Sequence, residues 1–259
     1  MELINRGAEP DSVTVGLDAK KAFQIMISGG VAVLPLSVSY AIFAHTAHGV
    51  ERIYALKNRP QTKPNGVIGT WDIFSEVFET ESRDRDLVRC LTLDNDLPLS
   101  VVAPFNPHHD WLRTVEFGAL RRSTKALTMD LLMHAGPLHD ELARMSLESA
   151  KPLMGSSANL SGSGSKFQLE DVQESLRQGC DLVLDYGTSR YSNAMQMGST
   201  IIELPTWKIL RWGGCFEAQA LLVQKHFGVS LPPHARLPGR GRWCEATQIE
   251  PHRPWRLSI

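Results

Sequence analysis

Gly155-Ser156-Ser157-Ala158-Asn159-Leu160-Ser161-Gly162 follows the apolar Pro152-Leu153-Met154, and the reading of this stretch governs the reading of the chain. Short hydroxyls and one amide are compact donors and acceptors. Glycine lets the backbone come close to a ligand. Such a loop can hold phosphate oxygens through backbone N–H groups and short side chains. The same residue types also build an ordinary polar turn between a strand and a helix. A second stretch bears on the choice: Ile53-Tyr54-Ala55-Leu56-Lys57-Asn58-Arg59-Pro60-Gln61-Thr62-Lys63-Pro64. Lys57, Arg59 and Lys63 fall within seven residues, and prolines follow Arg59 and Lys63. Val50, Ile53, Tyr54 and Leu56-Lys57 read as the end of a short helix, stopped ahead of Pro60. Arg59 offers a planar fork to phosphate and Lys57 a point charge. Taken alone, the stretch is equally a solvated basic helix terminus.

Together the two stretches resemble the YrdC family, the threonylcarbamoyl-AMP synthases. That family's pattern is a strand ending in Pro, a short helix ending in Lys-x-Arg-Pro-x-x-Lys, and later Ser-x-Ser-Ala-Asn-x-Ser-Gly. Here the counterparts are Val31-Ala32-Val33-Leu34-Pro35, then Lys57 to Lys63, then Gly155 to Gly162. Gly198-Ser199-Thr200-Ile201-Ile202-Glu203 is similar to the family's Pro-Ser-Thr-Val-Val-Asp, and Ile209-Leu210-Arg211-Trp212-Gly213 to its closing Ile-x-Arg-x-Gly. The resemblance covers roughly residues 15 to 215. It implies an α/β fold: a YrdC-like twisted open mixed sheet flanked by helices, with a concave basic nucleotide-binding cleft.

The resemblance also implies an ATP-dependent nucleotidyltransferase active in carbamoylation, in tRNA modification or a specialised pathway. An amino acid and bicarbonate form a carbamate, whose oxygen displaces pyrophosphate from ATP. Lys57 and Arg59 then become the expected catalytic cations, and Lys63, Ser157, Asn159, Ser199 and Arg211 the nucleotide-binding set. Mg²⁺ would travel with the phosphates, held by few protein ligands. Phosphoryl-centred displacement depends chiefly on positioning and charge neutralisation. The alternative function is a non-catalytic relative that binds nucleotide or RNA.

The departures concern the acceptor. The family follows its first strand with Pro-Thr-Asp-Thr-Val-Tyr-Gly-Leu, where this chain has Pro35-Leu36-Ser37-Val38-Ser39-Tyr40-Ala41-Ile42. Its Gly-Pro-Leu-Thr becomes Leu97-Pro98-Leu99-Ser100, and its Val-Arg-x-Pro-x-His-Pro maps onto Leu131 to Pro137, with Leu132 in place of arginine. Leu36, Val38, Tyr40 and Leu132 are therefore the expected acceptor pocket, less polar than the family's.

The remaining signals are broad. The 259 residues carry a formal net charge of −1, with 42% hydrophobic and 21% charged residues. That balance suits a globular protein and gives no global drive onto nucleic acid or anionic membrane. No apolar run is long enough to span a bilayer, and the N-terminal residues lack a signal peptide's apolar core. Cys90, Cys180, Cys215 and Cys244 are scattered, without a Cys-x-x-Cys pair, as expected of reduced thiols in the cytoplasm.

Residues 1–16 read as a loose lead-in, with a possible strand at Val13-Thr14-Val15; Asp18 reads as the cap of a helix running to about Ser28. Residues 17–230 form the expected catalytic domain. Residues 231–259, rich in Arg, Pro and Trp, read as a tail wrapped over the surface or stacked on nucleic-acid bases. Alternating short strands and helices indicate a mixed α/β sheet. His108-His109-Asp110 resembles a metal or base cluster but lacks a clear third ligand.

Overall fold

The computed structural model describes residues 1–234. The strands are β1 (Glu2–Asn5), β2 (Ala32–Leu36), β3 (Ser39–Ala44), β4 (Gly66–Gly69), β5 (Leu99–Pro104), β6 (Thr124–Lys125), β7 (Thr128–Met133), β8 (Met154–Ser157), β9 (Leu182–Asp185), β10 (Thr200–Glu203) and β11 (Lys208–Arg211). The α-helices are α1 (Ser12–Ile27), α2 (Ala47–Lys57), α3 (Trp71–Val77), α4 (Ser82–Thr92), α5 (Phe117–Ser123), α6 (Pro137–Ser149), α7 (Glu174–Gln178) and α8 (Phe216–Phe227). The strands form one mixed sheet in the order β1-β9-β2-β3-β8-β4-β7-β5-β10-β11, and β6 is a short addition beside β7. This is the expected architecture of a large mixed sheet flanked by helices.

The sheet carries two cores of unequal extent. Val33, Ile42, Val67, Val101, Leu131 and Ile202 point to the larger one, which α2, α3, α4 and α8 cover with residues such as Ile53, Phe74, Leu87 and Val223. On the opposite face Leu34, Phe43, Ile68 and Leu184 meet Phe23 of α1 and Leu142 of α6. That smaller core covers β9, β2, β3 and β4. It leaves β7, β5 and β10 thinly covered on the same face: β7 alternates half-exposed Thr128, Asp130 and Leu132 with buried Met129, Leu131 and Met133. The period-2 pattern of a strand with one wet face sets the cleft floor here.

The N-terminal expectation is corrected. β1 pairs in parallel with β9 from Glu2 to Asn5, so the sheet begins within the supposed lead-in. Val13-Thr14-Val15 lies in α1, whose cap is Asp11: its carboxylate accepts the Thr14 amide at 2.9 Å. Asp18 is buried about two turns further on, held by Arg6 Nη2 at 2.8 Å and by the Tyr186 hydroxyl at 3.0 Å. Residues 169–178 fold as a 3-10 turn at Leu169–Asp171 and the short α7. The charge-rich segment 79–96 contains α4, which buries Leu87, Val88 and Leu91 and also Asp84, whose carboxylate accepts the Trp207 indole N–H at 2.7 Å. Of the expected tail, Leu231 is buried and Pro232 accepts the Trp212 indole N–H at 3.1 Å; residues 235–259, with the proposed RNA-stacking arm, lie outside the described residues. Among the described residues no helix is long and apolar enough to cross a membrane.

Candidate functional site

The Lys-x-Arg stretch folds as its sequence dictates. α2 ends at Lys57, and Asn58 takes the left-handed conformation, φ 47°, that terminates many helices. The Arg59 amide returns to the Tyr54 carbonyl at 3.0 Å. Tyr54 also anchors the following loop, its hydroxyl donating to the carbonyl oxygens of Lys63 (2.6 Å) and Arg122 (3.1 Å). Arg59 is thereby aimed at the sheet. Its Nη1 donates to Ser156 Oγ at 3.3 Å, and its Nη2 to the Pro64 carbonyl at 2.5 Å.

The Ser-Ala-Asn loop begins as β8. Gly155 is required where β8 crosses β3, because a Cβ there would lie 2.0 Å from the Ile42 carbonyl oxygen. Ser156 and Ser157 are half-buried and Asn159 is buried. Ser157 Oγ donates to Asn159 Oδ1, and Asn159 Nδ2 donates to the Leu160 carbonyl at 2.6 Å. Lys57 is only 1% exposed. Its ammonium donates to the backbone carbonyls of Ser157 and Asn159, and the Lys57 carbonyl accepts the Ser161 amide. Lys57 thus ties α2 to the loop, and Arg59 presents the positive charge at its surface. Burial, reinforced by Arg59 and Lys63, draws the Lys57 ammonium down to about 7.

Arg211 reaches the same place through an irregularity. Ile202 pairs with Ile209, but Ile201 pairs with Arg211, so Leu210 is an extra residue in β11. This bulge puts Ile209 in the larger core and Arg211 on the opposite face. Continuous register then carries one row across that face: Ile68, Leu132, Ser100, Ile201, Arg211. Arg211 Nε donates to the Ser199 carbonyl at 2.9 Å and Nη2 to Ser199 Oγ at 2.8 Å; Ser199 Oγ lies 3.1 Å from Ser100 Oγ. Gly213 closes the strand against this turn, where a Cβ would stand 2.1 Å from the Thr200 nitrogen.

In the recess on this thinly covered face, Arg59, Lys63 and Arg211 lie within electrostatic reach of one another; Arg59 touches Ser156 and Arg211 touches Ser199, while Asn159 is buried within its own loop. Lys63 is exposed at the rim of the recess, and its ammonium is pulled down by partial burial and by Arg59 and Arg211. The sequence reading missed Asp130. This half-buried β7 residue lies near Arg211 and Arg59, and its Oδ1 is sealed from water without a hydrogen-bond partner. Burial pushes its carboxyl up to about 6, against the pull of Arg211, Ser100 and Arg59. Its one sequence signal is a carboxylate amid the alternating apolar pattern of Met129-Asp130-Leu131-Leu132-Met133.

The acceptor expectation changes most. Leu36 and Val38 are buried in the smaller core and do not line the recess. Tyr40 belongs to the larger core, its hydroxyl donating to Asp185 Oδ1 at 2.5 Å and to the Gly187 carbonyl at 2.8 Å. Their apolar bodies complete the packing that supports the sheet. Leu132 alone of the four is half-exposed, at the margin where the smaller core gives way to the recess. The His-His-Asp stretch is structural: His109 Nδ1 accepts the Trp111 amide at 3.1 Å and caps a 3-10 turn.

No group of three His, Cys, Asp or Glu side chains suited to a metal ion occurs among the described residues. Asp130 sits beside two guanidinium groups, which disfavour a cation. Among the described residues, the donor set does not make a Mg²⁺ site.

Comparison with known proteins bears on the fold. The family model for Sua5, YciO and YrdC, described as Telomere recombination, matches residues 24–213. No curated protein sequence matches the chain significantly. A hypothetical protein, smu.1377c, from Streptococcus mutans UA159 superposes with a TM-score of 0.73 at 18% identity, over 89% of this chain and 97% of that one. P. abyssi Sua5 complexed with L-threonine gives 0.67 at 20% identity, over 90% of this chain and 63% of that one. E. coli YciO gives 0.60 at 20% identity, over 82% of this chain and 94% of that one.

Proposed function

This chain belongs to the Sua5/YciO/YrdC family, and from that premise we propose that it adenylates a carbamate, taking ATP, bicarbonate and an amine-bearing acceptor as substrates. The observation that carries the reading is the approach of Arg59 and Lys63, from the loop after α2, to Arg211 of β11, with Arg59 touching Ser156 of the small-residue loop. Cations gathered from the loop after α2 and from a bulged β11 repel one another, and a polyanion bound between them would offset that repulsion.

In this reading Arg59 and Lys63 take the phosphates, and the loop's hydroxyl, amide and backbone groups hold the adenylate oxygens. Arg211, braced by Ser199, faces the charge that builds on the phosphoryl group during displacement. The amine and bicarbonate give a carbamate and water. A carbamate oxygen then bonds to the α-phosphorus as the bond to pyrophosphate breaks. Lys57 contributes by fixing the loop. The setting is tRNA modification or a specialised pathway, in the cytoplasm.

The acceptor side is apolar at Leu132, so selection there rests on shape more than on hydrogen bonding to a hydroxyl. Threonine, the ligand in the P. abyssi Sua5 complex, should therefore be a poor acceptor. The test is incubation with ATP, labelled bicarbonate and a panel of amino acids and amines, with AMP adducts read by mass spectrometry. Label should enter the adduct, and an acceptor less polar than threonine should give the highest turnover. Arg59→Ala should weaken ATP binding by about 1.5–3 kcal/mol in calorimetry, the scale of a hydrogen bond to a charged group. Unchanged ATP affinity in that variant, or an adduct without label, would refute the assignment.

A further inference from the structure

Residues 187–198 run as a strap between β9 and β10. Asn193 folds the strap on itself: its side chain accepts the Met197 amide at 3.0 Å and donates to the carbonyls of Tyr191 and Met197. The Ser189 amide donates to the Phe167 carbonyl at 2.8 Å, and the Tyr191 amide to the Ser37 carbonyl at 2.9 Å. The strap ends at Gly198, where a Cβ would stand 3.8 Å from Arg211 Nη2, and runs directly into Ser199, which braces Arg211. Its other side meets a group of side chains that the proposed reaction does not use. Arg190 Nη1 donates to Asp96 Oδ2 at 3.4 Å, and the Tyr191 hydroxyl donates to the Asp96 carbonyl at 3.3 Å. Asp96 Oδ1 lies 2.5 Å from His134 Nε2. His134 Nδ1 faces Asp140 Oδ2 at 4.0 Å, and Asp140 Oδ1 lies 2.9 Å from Nδ1 of the buried His139. The loop before β5, the end of β7, α6 and the strap thus meet side chain to side chain. Asp96 (φ 54°) and His134 (φ 59°) both hold the left-handed backbone, which aspartate and histidine adopt more readily than most residues. An exposed ion pair alone adds little. Here one carboxylate joins two parts of the fold: Asp96 holds the strap with one oxygen and the end of β7 with the other.

We propose that Asp96 and His134 are positioning residues: they latch the strap to the end of β7, the latched strap keeps Ser199 and Arg211 in place, and the proton on His134 sets how firmly the latch holds. A neutral imidazole has a single N–H, which serves Asp96 and turns a lone pair toward Asp140. The imidazolium donates from both nitrogens and stands between the two carboxylates. Histidine exchanges these forms between about pH 5 and 8. The latch is therefore firm at the acid end of that range and loosens as pH rises. Asp96 and Asp140 are the charged groups that face His134; behind them stand Arg190 and Tyr191 of the strap and His139 of α6. The effect on ATP rests on the nucleotide reading above, whereas the latch itself does not.

Hydrogen exchange of the full chain tests the latch, read at the Ser189 and Tyr191 amides as protection over the intrinsic rate at each pH. Native protection should be about threefold greater at pH 5.5 than at pH 8, the scale of a partly exposed charge contact. His134→Gln, which keeps a donor for Asp96 without a titrating group, should give one value at both pH values. Asp96→Ala should be about threefold less protected than the native chain at pH 5.5, and Asp96→Glu should restore part of that loss. The amides of β9 should stay unmoved in every variant, which separates an opened strap from a loosened fold. Native protection without a pH response, a response that survives in His134→Gln, Asp96→Ala protection equal to native, or β9 amides moving in step with the strap would overturn the proposal. ATP affinity, measured by calorimetry at pH 5.5, should fall about threefold in Asp96→Ala. An unchanged affinity there, with Arg59→Ala still weakening ATP binding, overturns the link from the strap to Arg211. An affinity unchanged in Arg59→Ala refutes the nucleotide reading instead, and exchange alone then decides the latch.

Discussion

Lys57 leaves the end of α2 with its ammonium enclosed between the carbonyl oxygens of Ser157 and Asn159, while Arg59, two residues later, reaches the recess surface. The spacing separates a cation that builds the site from one that meets a ligand. Burial draws the folded Lys57 down to about 7, below the ordinary lysine range of the unfolded chain. Between those values the unfolded state holds the extra proton, so the contribution of Lys57 to stability is lost as pH falls through about 7 and is full above the unfolded pKa. Denaturant unfolding at pH 6 and pH 9 should show the native chain gaining stability relative to Lys57→Met as pH rises. A difference between the two proteins that stays flat across that interval would contradict this account. Asp130 escaped the sequence reading because a single aspartate in a strand pattern has no period or motif. Its significance comes from Arg59 and Arg211, which are remote in sequence.

Among the elements, β11 shows what an irregularity can do. The pattern Ile209-Leu210-Arg211 puts Ile209 and Arg211 on the same face if the strand is regular. Such a strand would drive a guanidinium into the larger core. The bulge at Leu210 reverses this, and Gly213 lets the strand end pack on the backbone of Ser199 and Thr200. Gly213→Ala would force a Cβ into that backbone contact. The expected cost is about 1–3 kcal/mol of stability, the range for overpacking, with a parallel loss of ATP affinity because Ser199 braces Arg211. Thermal unfolding together with calorimetry checks it; an unaltered midpoint would show that the β11 end has slack which the geometry denies. β2 and the end of α2 were legible, from the Val31–Pro35 run and the stop ahead of Pro60. β3 was not: Ser39 to Ala44 is buried on both faces, so it offers no alternation.

Across the whole molecule, the N-terminal segment is tied to the body at two points. β1 pairs with β9, and Arg6 reaches the buried carboxylate of Asp18, which also accepts from Tyr186 after β9. Arg6→Ala leaves Asp18 with the Tyr186 hydroxyl as its remaining side-chain partner and loosens the junction of β1, α1 and β9. Hydrogen exchange of the amides of residues 2–6 should then speed up well before global unfolding. Exchange rates matching the native chain would show that strand pairing alone secures the segment. The two cores explain where the cleft lies: α1 and α6 reach only as far as β4, with Leu132 at their margin. Among the described residues no helix covers the rest of that face, where β7, β5 and β11 present Asp130, Ser100 and Arg211.

The sequence by itself determined the helix that delivers Arg59, through its apolar spacing and the stop at Pro60, and the small-residue loop at 155–162. It also determined the order of motifs that marks the family, and the mixed α/β class. These are local properties, set by propensity, sterics and short-range hydrogen bonding. Only the tertiary structure decided that Lys57 faces inward, that Leu36, Val38 and Tyr40 serve the cores, and that Arg211 turns toward the cleft. It alone brought Asp130 within electrostatic reach of Arg211. Each of those outcomes depends on which strands become neighbours and in what register, and a register shift of one residue exchanges the buried face for the open one.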